Sequence, residues 1–157
     1  MILFSLLVTI AYLGYTIALF GIPESISDTY YLLERRKKGT GVLFTAWTWI
    51  AAFPLMIAWL DMATYQLLAF FACAALMFVG AAAQFKQSLT EMVHYVSAGI
   101  CVASALTWVV LVGYWYIPFI SLSICILLGL KYKKWITWIE IAALTATYIT
   151  LLITHIQ

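Results

Sequence analysis

The sequence predicts an all-α polytopic membrane protein: a six-transmembrane-helix bundle with a short amphipathic cytoplasmic helix between spans 1 and 2. Three observations lead there. The 157 residues are 66% hydrophobic and 9% charged, with a mean hydropathy of +1.06, whereas a water-soluble domain carries roughly 25% charged residues. Six apolar segments reach or approach the roughly 20 residues that a helix needs to cross the hydrocarbon core. All eight basic residues fall in alternate connections between those segments. The length fits a single membrane domain, 1–157.

The segments run at about 2–20, 42–60, 63–83, 93–112, 115–130 and 135–155. Gly, Pro or charge marks each break: Gly21-Ile22-Pro23, Gly39-Thr40-Gly41, Asp61, Lys86 to Glu91, Gly113 and Lys131 to Lys134. Residues 1–20 lack a basic start, and no small-x-small pattern precedes Gly21, so they read as a retained span rather than a signal peptide. Short cytoplasmic loops hold Lys and Arg. Arg35, Arg36, Lys37 and Lys38 follow span 1, Lys86 follows span 3, and Lys131, Lys133 and Lys134 follow span 5. That places the chain in a cell inner membrane with both termini outside the cytoplasm. Trp49, Tyr132, Trp135 and Trp138 then form one interfacial belt, and Trp59, Tyr65, Trp108, Tyr114 and Trp115 the other.

Lipid gives helices no hydrophobic reward for associating, so contacts must come from small residues and buried polar groups. Span 1 carries Ser5, Thr9, Tyr12 and Thr16 at helical spacing, span 4 His94, Ser97, Cys101 and Ser104, span 5 Pro118, Ser121, Cys125 and Gly129, and span 6 Thr137, Glu140, Thr147 and Thr154. These stripes are expected to face inward, as packing surfaces or as a substrate path. Pro54 and Pro118 are expected kinks. Cys73, Cys101 and Cys125 lie in apolar surroundings without a Cys-x-x-Cys spacing and read as small buried hydrophobes.

The connection from Gly21 to Gly41 is long enough to fold. Ser25-Ile26-Ser27-Asp28 matches a capping box, and a helix from about Ile26 to Lys38 would put Asp28 at its positive end and the basic run at its negative end. Ile26, Tyr30 and Leu33 would share its apolar side. Such a helix lies at a membrane surface, where its cations either attract anionic headgroups or simply hold the loop inside.

Candidate chemistry gathers on the same side. Glu91 and His94 stand three apart on one helix face, and Glu140 lies inside span 6, where a charge is costly and calls for a partner or a role. His94 could bond to Glu140 or Asp28 as a structural tie. Alternatively His94 acts as a base with Ser25 or Ser27 as nucleophile or orienter and Asp28 beside them, which requires a Ser hydroxyl within reach of the imidazole. Glu24, Glu91, Glu140, Arg35 and Arg36 are the ligand-binding candidates. Glu-x-x-His occurs once, not in the paired form of di-iron bundles, and His155 belongs to the opposite side, so neither a metal nor another cofactor is expected. No phosphate loop, nucleophile elbow or nucleic-acid motif is present.

Through Pro23-Glu24-Ser25-Ile26-Ser27-Asp28-Thr29 and Val93-His94-Tyr95-Val96-Ser97-Ala98, the chain resembles small integral membrane proteins of Bacteroides-type bacteria. It is also faintly similar to the DRAM and GPI-remodelling membrane families. The resemblance implies a six-span fold and points to Ser27, Asp28 and His94. The functional expectation is a lipid-associated or partner-binding envelope component, its partners being membrane lipids and a membrane protein or a second copy. The alternatives are a lipid-modifying enzyme using the Ser/Asp/His cluster and a small transporter.

Overall fold

The computed structural model describes residues 1–62, 64–83 and 88–156, and the side chains of all of these except 88–91. Among the described residues there are seven helices and no sheet: α1 Ile2–Phe20, α2 Asp28–Arg36, α3 Val42–Met62, α4 Gln66–Ala82, α5 Ser88–Val109, α6 Tyr116–Tyr132 and α7 Trp135–Ile156. A π-turn, Val110–Tyr114, extends α5 and contains Gly113, whose φ of 94° is open to glycine and strained for other residues.

The chain is a multi-pass membrane protein. Among the described residues, four stretches are long and apolar enough to cross a bilayer: α1, α3, Met92–Tyr114 and α7. The other two apolar helices, α4 and α6, have 17 residues each, about 25 Å at roughly 1.5 Å per residue against a hydrocarbon core of about 30 Å. Six apolar segments therefore become six apolar helices, four of spanning length and two shorter.

Helix contacts close a ring in the order α1, α3, α4, α5, α7 and back to α1, while α6 packs mainly on α7. The helices alternate in direction, so the described basic residues Arg35 to Lys38, Lys131, Lys133 and Lys134 gather at one end, called the basic end below; Lys86 lies outside the described residues.

The polar stripes do face inward. Ser5, Thr9, Tyr12 and Thr16 are buried, whereas Leu3, Leu7 and Ile10 on the other faces of α1 are exposed. Ser5 Oγ donates to the Ala51 carbonyl at 2.7 Å, and the Tyr148 hydroxyl lies 2.7 Å from Ser5 Oγ and 3.1 Å from Thr9 Oγ1. Tyr12 stacks on Trp47 with ring centroids 4.6 Å apart. Between α3 and α4, Thr45 Oγ1 donates to the Gly80 carbonyl at 2.8 Å, and a Cβ on Gly80 would collide with Thr48 Oγ1. Ser121 Oγ donates to Ala142 across the α6–α7 seam at 2.8 Å. Hydrogen bonds and close backbone approach thus do the work that hydrophobic burial does in water.

Two expectations need correcting. Trp59 and Trp108 are not interfacial: they are 1% and 0% exposed, with rings edge to face at 5.0 Å. Their stripe faces the core, and an edge-to-face pair is favourable there. Pro118 falls in the first turn of α6, where a missing N–H breaks no intrahelical bond, so no kink is required. Pro54 does stand inside α3.

Candidate functional site

The chain leaves α1 at Gly21 and folds back over the basic end. The capping box forms: the Ser25 N–H donates to Asp28 Oδ2 at 3.1 Å, and the Asp28 N–H donates to Ser25 Oγ at 3.2 Å. Ser27 Oγ lies 3.0 Å from Ser25 Oγ. The helix that follows, Asp28–Arg36, is shorter than the expected 26–38, because Lys37 turns extended at φ −151° and the Glu34 carboxylate accepts the Gly39 and Gly41 amides. Ile26, Thr29 and Leu33 are buried, and Thr29 Oγ1 lies 2.6 Å from the Tyr12 hydroxyl of α1. Arg35 and Arg36 occupy the last turn, exposed, a favourable place for cations.

This connection is fastened to α7. Thr137 Oγ1 donates to the Pro23 carbonyl at 2.7 Å, the Thr137 N–H donates to the Glu24 carbonyl at 3.2 Å, and Lys134 Nζ pairs with Glu24 Oε1. One turn further along α7, Glu140 Oε2 accepts the Ile26 N–H at 2.6 Å. The partner that Glu140 needed is a backbone amide 114 positions away, and no sequence spacing signals it.

His94 projects from α5 with Nδ1 3.2 Å from the Val79 carbonyl of α4. A carbonyl only accepts, so this bond places the proton on Nδ1 and leaves Nε2 as the basic atom of the neutral ring.

Ser27, His94 and Glu140 line one cavity of ≈ 100 Å³ between α3, α4, α5 and α7. Ile26 and Ser27 cap it at the basic end, and Leu55, Trp59, Cys73 and Ala105 line its deeper, apolar part. Along α5, His94 and Ala105 stand about 16 Å apart at roughly 1.5 Å per residue. The Trp59 N–H, buried in this wall, has no hydrogen-bond partner among the described residues.

The structure therefore brings Ser27, His94 and Glu140 together. Ser25 and Asp28 serve the capping box above them, Glu24 serves the ion pair with Lys134, and Arg35 and Arg36 sit at the other end of α2. Glu91 lies in the first turn of α5, and its side chain is outside the described residues. Ser27 bonds to Ser25, and His94 to Val79 rather than to Glu140 or Asp28. Among the described residues, no three His, Cys, Asp or Glu side chains converge as a metal site. Tyr148, which lines the same cavity, was missed by sequence reasoning. A tyrosine in mid-span must find a partner for its hydroxyl, and that signal could have found it.

Compared with family models, characterised proteins and solved structures, the chain matches none.

Proposed function

We propose that this protein is a six-span inner-membrane protein, its basic end cytoplasmic, that holds one lipid-like amphiphile. The amphiphile's polar group sits beneath the α1–α2 connection and the adjoining few carbons of its chain in the cavity. One observation carries the reading: Ser27, His94 and Glu140, from three separate elements, share the wall of one otherwise apolar cavity. Ionisable side chains inside a membrane domain are costly and tend to mark ligand paths, and convergent polar groups at the end of an apolar pocket fix a ligand's orientation.

The chemistry suits a headgroup that carries donors. Glu140 has a second carboxylate oxygen to offer, His94 Nε2 accepts in the neutral ring, and the Ser27 hydroxyl does both. The cavity is smaller than the roughly 150 Å³ void that takes a benzene, so it takes the first few methylenes of a single chain and no ring system, the rest of the chain lying in the bilayer. The test is native mass spectrometry of the detergent-purified protein with 1-palmitoyl-lysophosphatidylethanolamine as probe. The wild-type chain is expected to retain one molecule, with Glu140→Gln and His94→Ala binding about tenfold more weakly, the worth of one charge-assisted hydrogen bond. Equal retention by all three, or none by the wild type, overturns the reading.

A second reading, modification of such a lipid, is favoured by the Val79–His94 bond, which orients the ring as a third group orients a general base. Nε2 would take the proton of Ser27 or of a water as that oxygen attacks an ester carbonyl carbon of the lipid, and would return it to the alcohol oxygen that leaves as the ester C–O bond breaks. A His94→Ala strain with unchanged lipid species at equal protein level would dispose of it.

A further inference from the structure

The cavity has a neighbour. On the outer side of α7 a groove of ≈ 280 Å³ lies between α1 and α7, lined by apolar residues that include Leu6, Ile10, Ile149 and Leu152. Ile10 and Ile149 are 57% and 42% exposed, so the groove faces the surroundings of the bundle. Leu144 and Tyr148 line both the groove and the interior cavity. One turn apart on α7, these two side chains form the partition between the two spaces. The partition is latched from the far bank: the Tyr148 hydroxyl bonds to Ser5 and Thr9, both on α1. Elsewhere α1 meets α7 sparsely, its main partner being α3.

We propose that the α1–α7 groove is a lateral portal for an acyl chain of the bilayer, and that Leu144 and Tyr148 are its gate. The inference rests on the ligand-holding reading above and adds the route. A chain in the bilayer already meets the groove from the side, whereas a path past Ile26 and Ser27 would draw hydrocarbon through the Pro23, Glu24 and Glu140 hydrogen bonds. The hydrogen bonds that opening the gate breaks are those of Tyr148, since Ser5 keeps its bond to Ala51. The occupant is a single chain, because the partition is one residue thick and the cavity behind it is narrow.

The route is tested with a fatty acid carrying a mid-chain diazirine, added to the protein in phosphatidylcholine vesicles and photolysed after increasing delays. In the wild-type chain, adducts are expected first on groove residues such as Ile10 and Ile149, and later on cavity residues such as Cys73 and Val102. Tyr148→Phe keeps the ring and removes the latch, so cavity adducts should appear about threefold sooner, as befits interhelical bonds of modest strength in lipid. Leu144→Trp should keep the groove adducts and lose the cavity ones. If cavity adducts form at the wild-type rate in both variants, the portal is refuted while the ligand site stands. If the wild-type chain gives no cavity adducts at any delay, both are refuted. Tyr148→Phe changes only a hydroxyl, so it keeps the test decisive if Leu144→Trp does not fold.

Discussion

The two ends of the bundle are built on different principles. At the basic end, a connection of some twenty residues is folded back and fixed by side-chain bonds: Tyr12 to Thr29, Thr137 to Pro23, Glu140 to Ile26. At the far end the connections between α3 and α4 and between α5 and α6 are short, and the space between helices is filled by the Trp59–Trp108 pair, whose N–H groups are buried and have no partner among the described residues. One end spends polar groups to hold backbone in place, and the other tolerates polar groups for the sake of ring packing.

That contrast predicts a graded response to losing one polar group. The largest effect should come from Glu140→Ala, which leaves the buried Ile26 amide unpaired. Unfolding in a mixed-micelle titration should show a loss of about 1.5–3 kcal/mol, with Glu140→Gln, still an acceptor, recovering most of it. Next comes Tyr12→Phe, which removes the tie between α1 and α2 but keeps the Tyr12–Trp47 stack; the same titration should register about 1 kcal/mol. Smallest should be Trp59→Phe at the far end, where shedding an unpartnered donor offsets the lost ring volume and stability stays within about 1 kcal/mol of the wild type. A Trp59→Phe loss larger than that of Glu140→Ala would erase the distinction between the ends.

Much of the architecture was legible because it is written in local composition. Hydropathy located the six apolar helices, the alternation of basic residues matched the gathering of the described ones at one end, and the Ser25–Asp28 spacing announced a capping box that forms. The hydroxyl stripe of α1 was legible for the same reason, since helical period alone sets which face it occupies. Trp59 and Trp108 were misread because aromatic rings near segment ends satisfy both the interface and the core, and only their neighbours decide. The candidate site was legible in part. Ser27, His94 and Glu140 stood out as polar residues in apolar surroundings, yet their partners, the Ile26 amide and the Val79 carbonyl, are backbone groups that every residue possesses. Tyr148 escaped notice because its role comes from two hydroxyls 143 and 139 positions earlier.

Those long separations bear on how the chain is made. α7 is synthesised after the other six helices, yet it supplies Tyr148 to Ser5 and Thr9, Thr137 to Pro23, and Glu140 to Ile26. Until it leaves the ribosome, Ser5 and Thr9 lack the Tyr148 hydroxyl, and the ring has a gap where its closing stave belongs. Unsatisfied polar groups are poorly tolerated in hydrocarbon. A nascent chain stalled before Trp135 therefore lacks the groups that α7 brings to the Pro23 and Glu24 carbonyls and to the Ile26 amide.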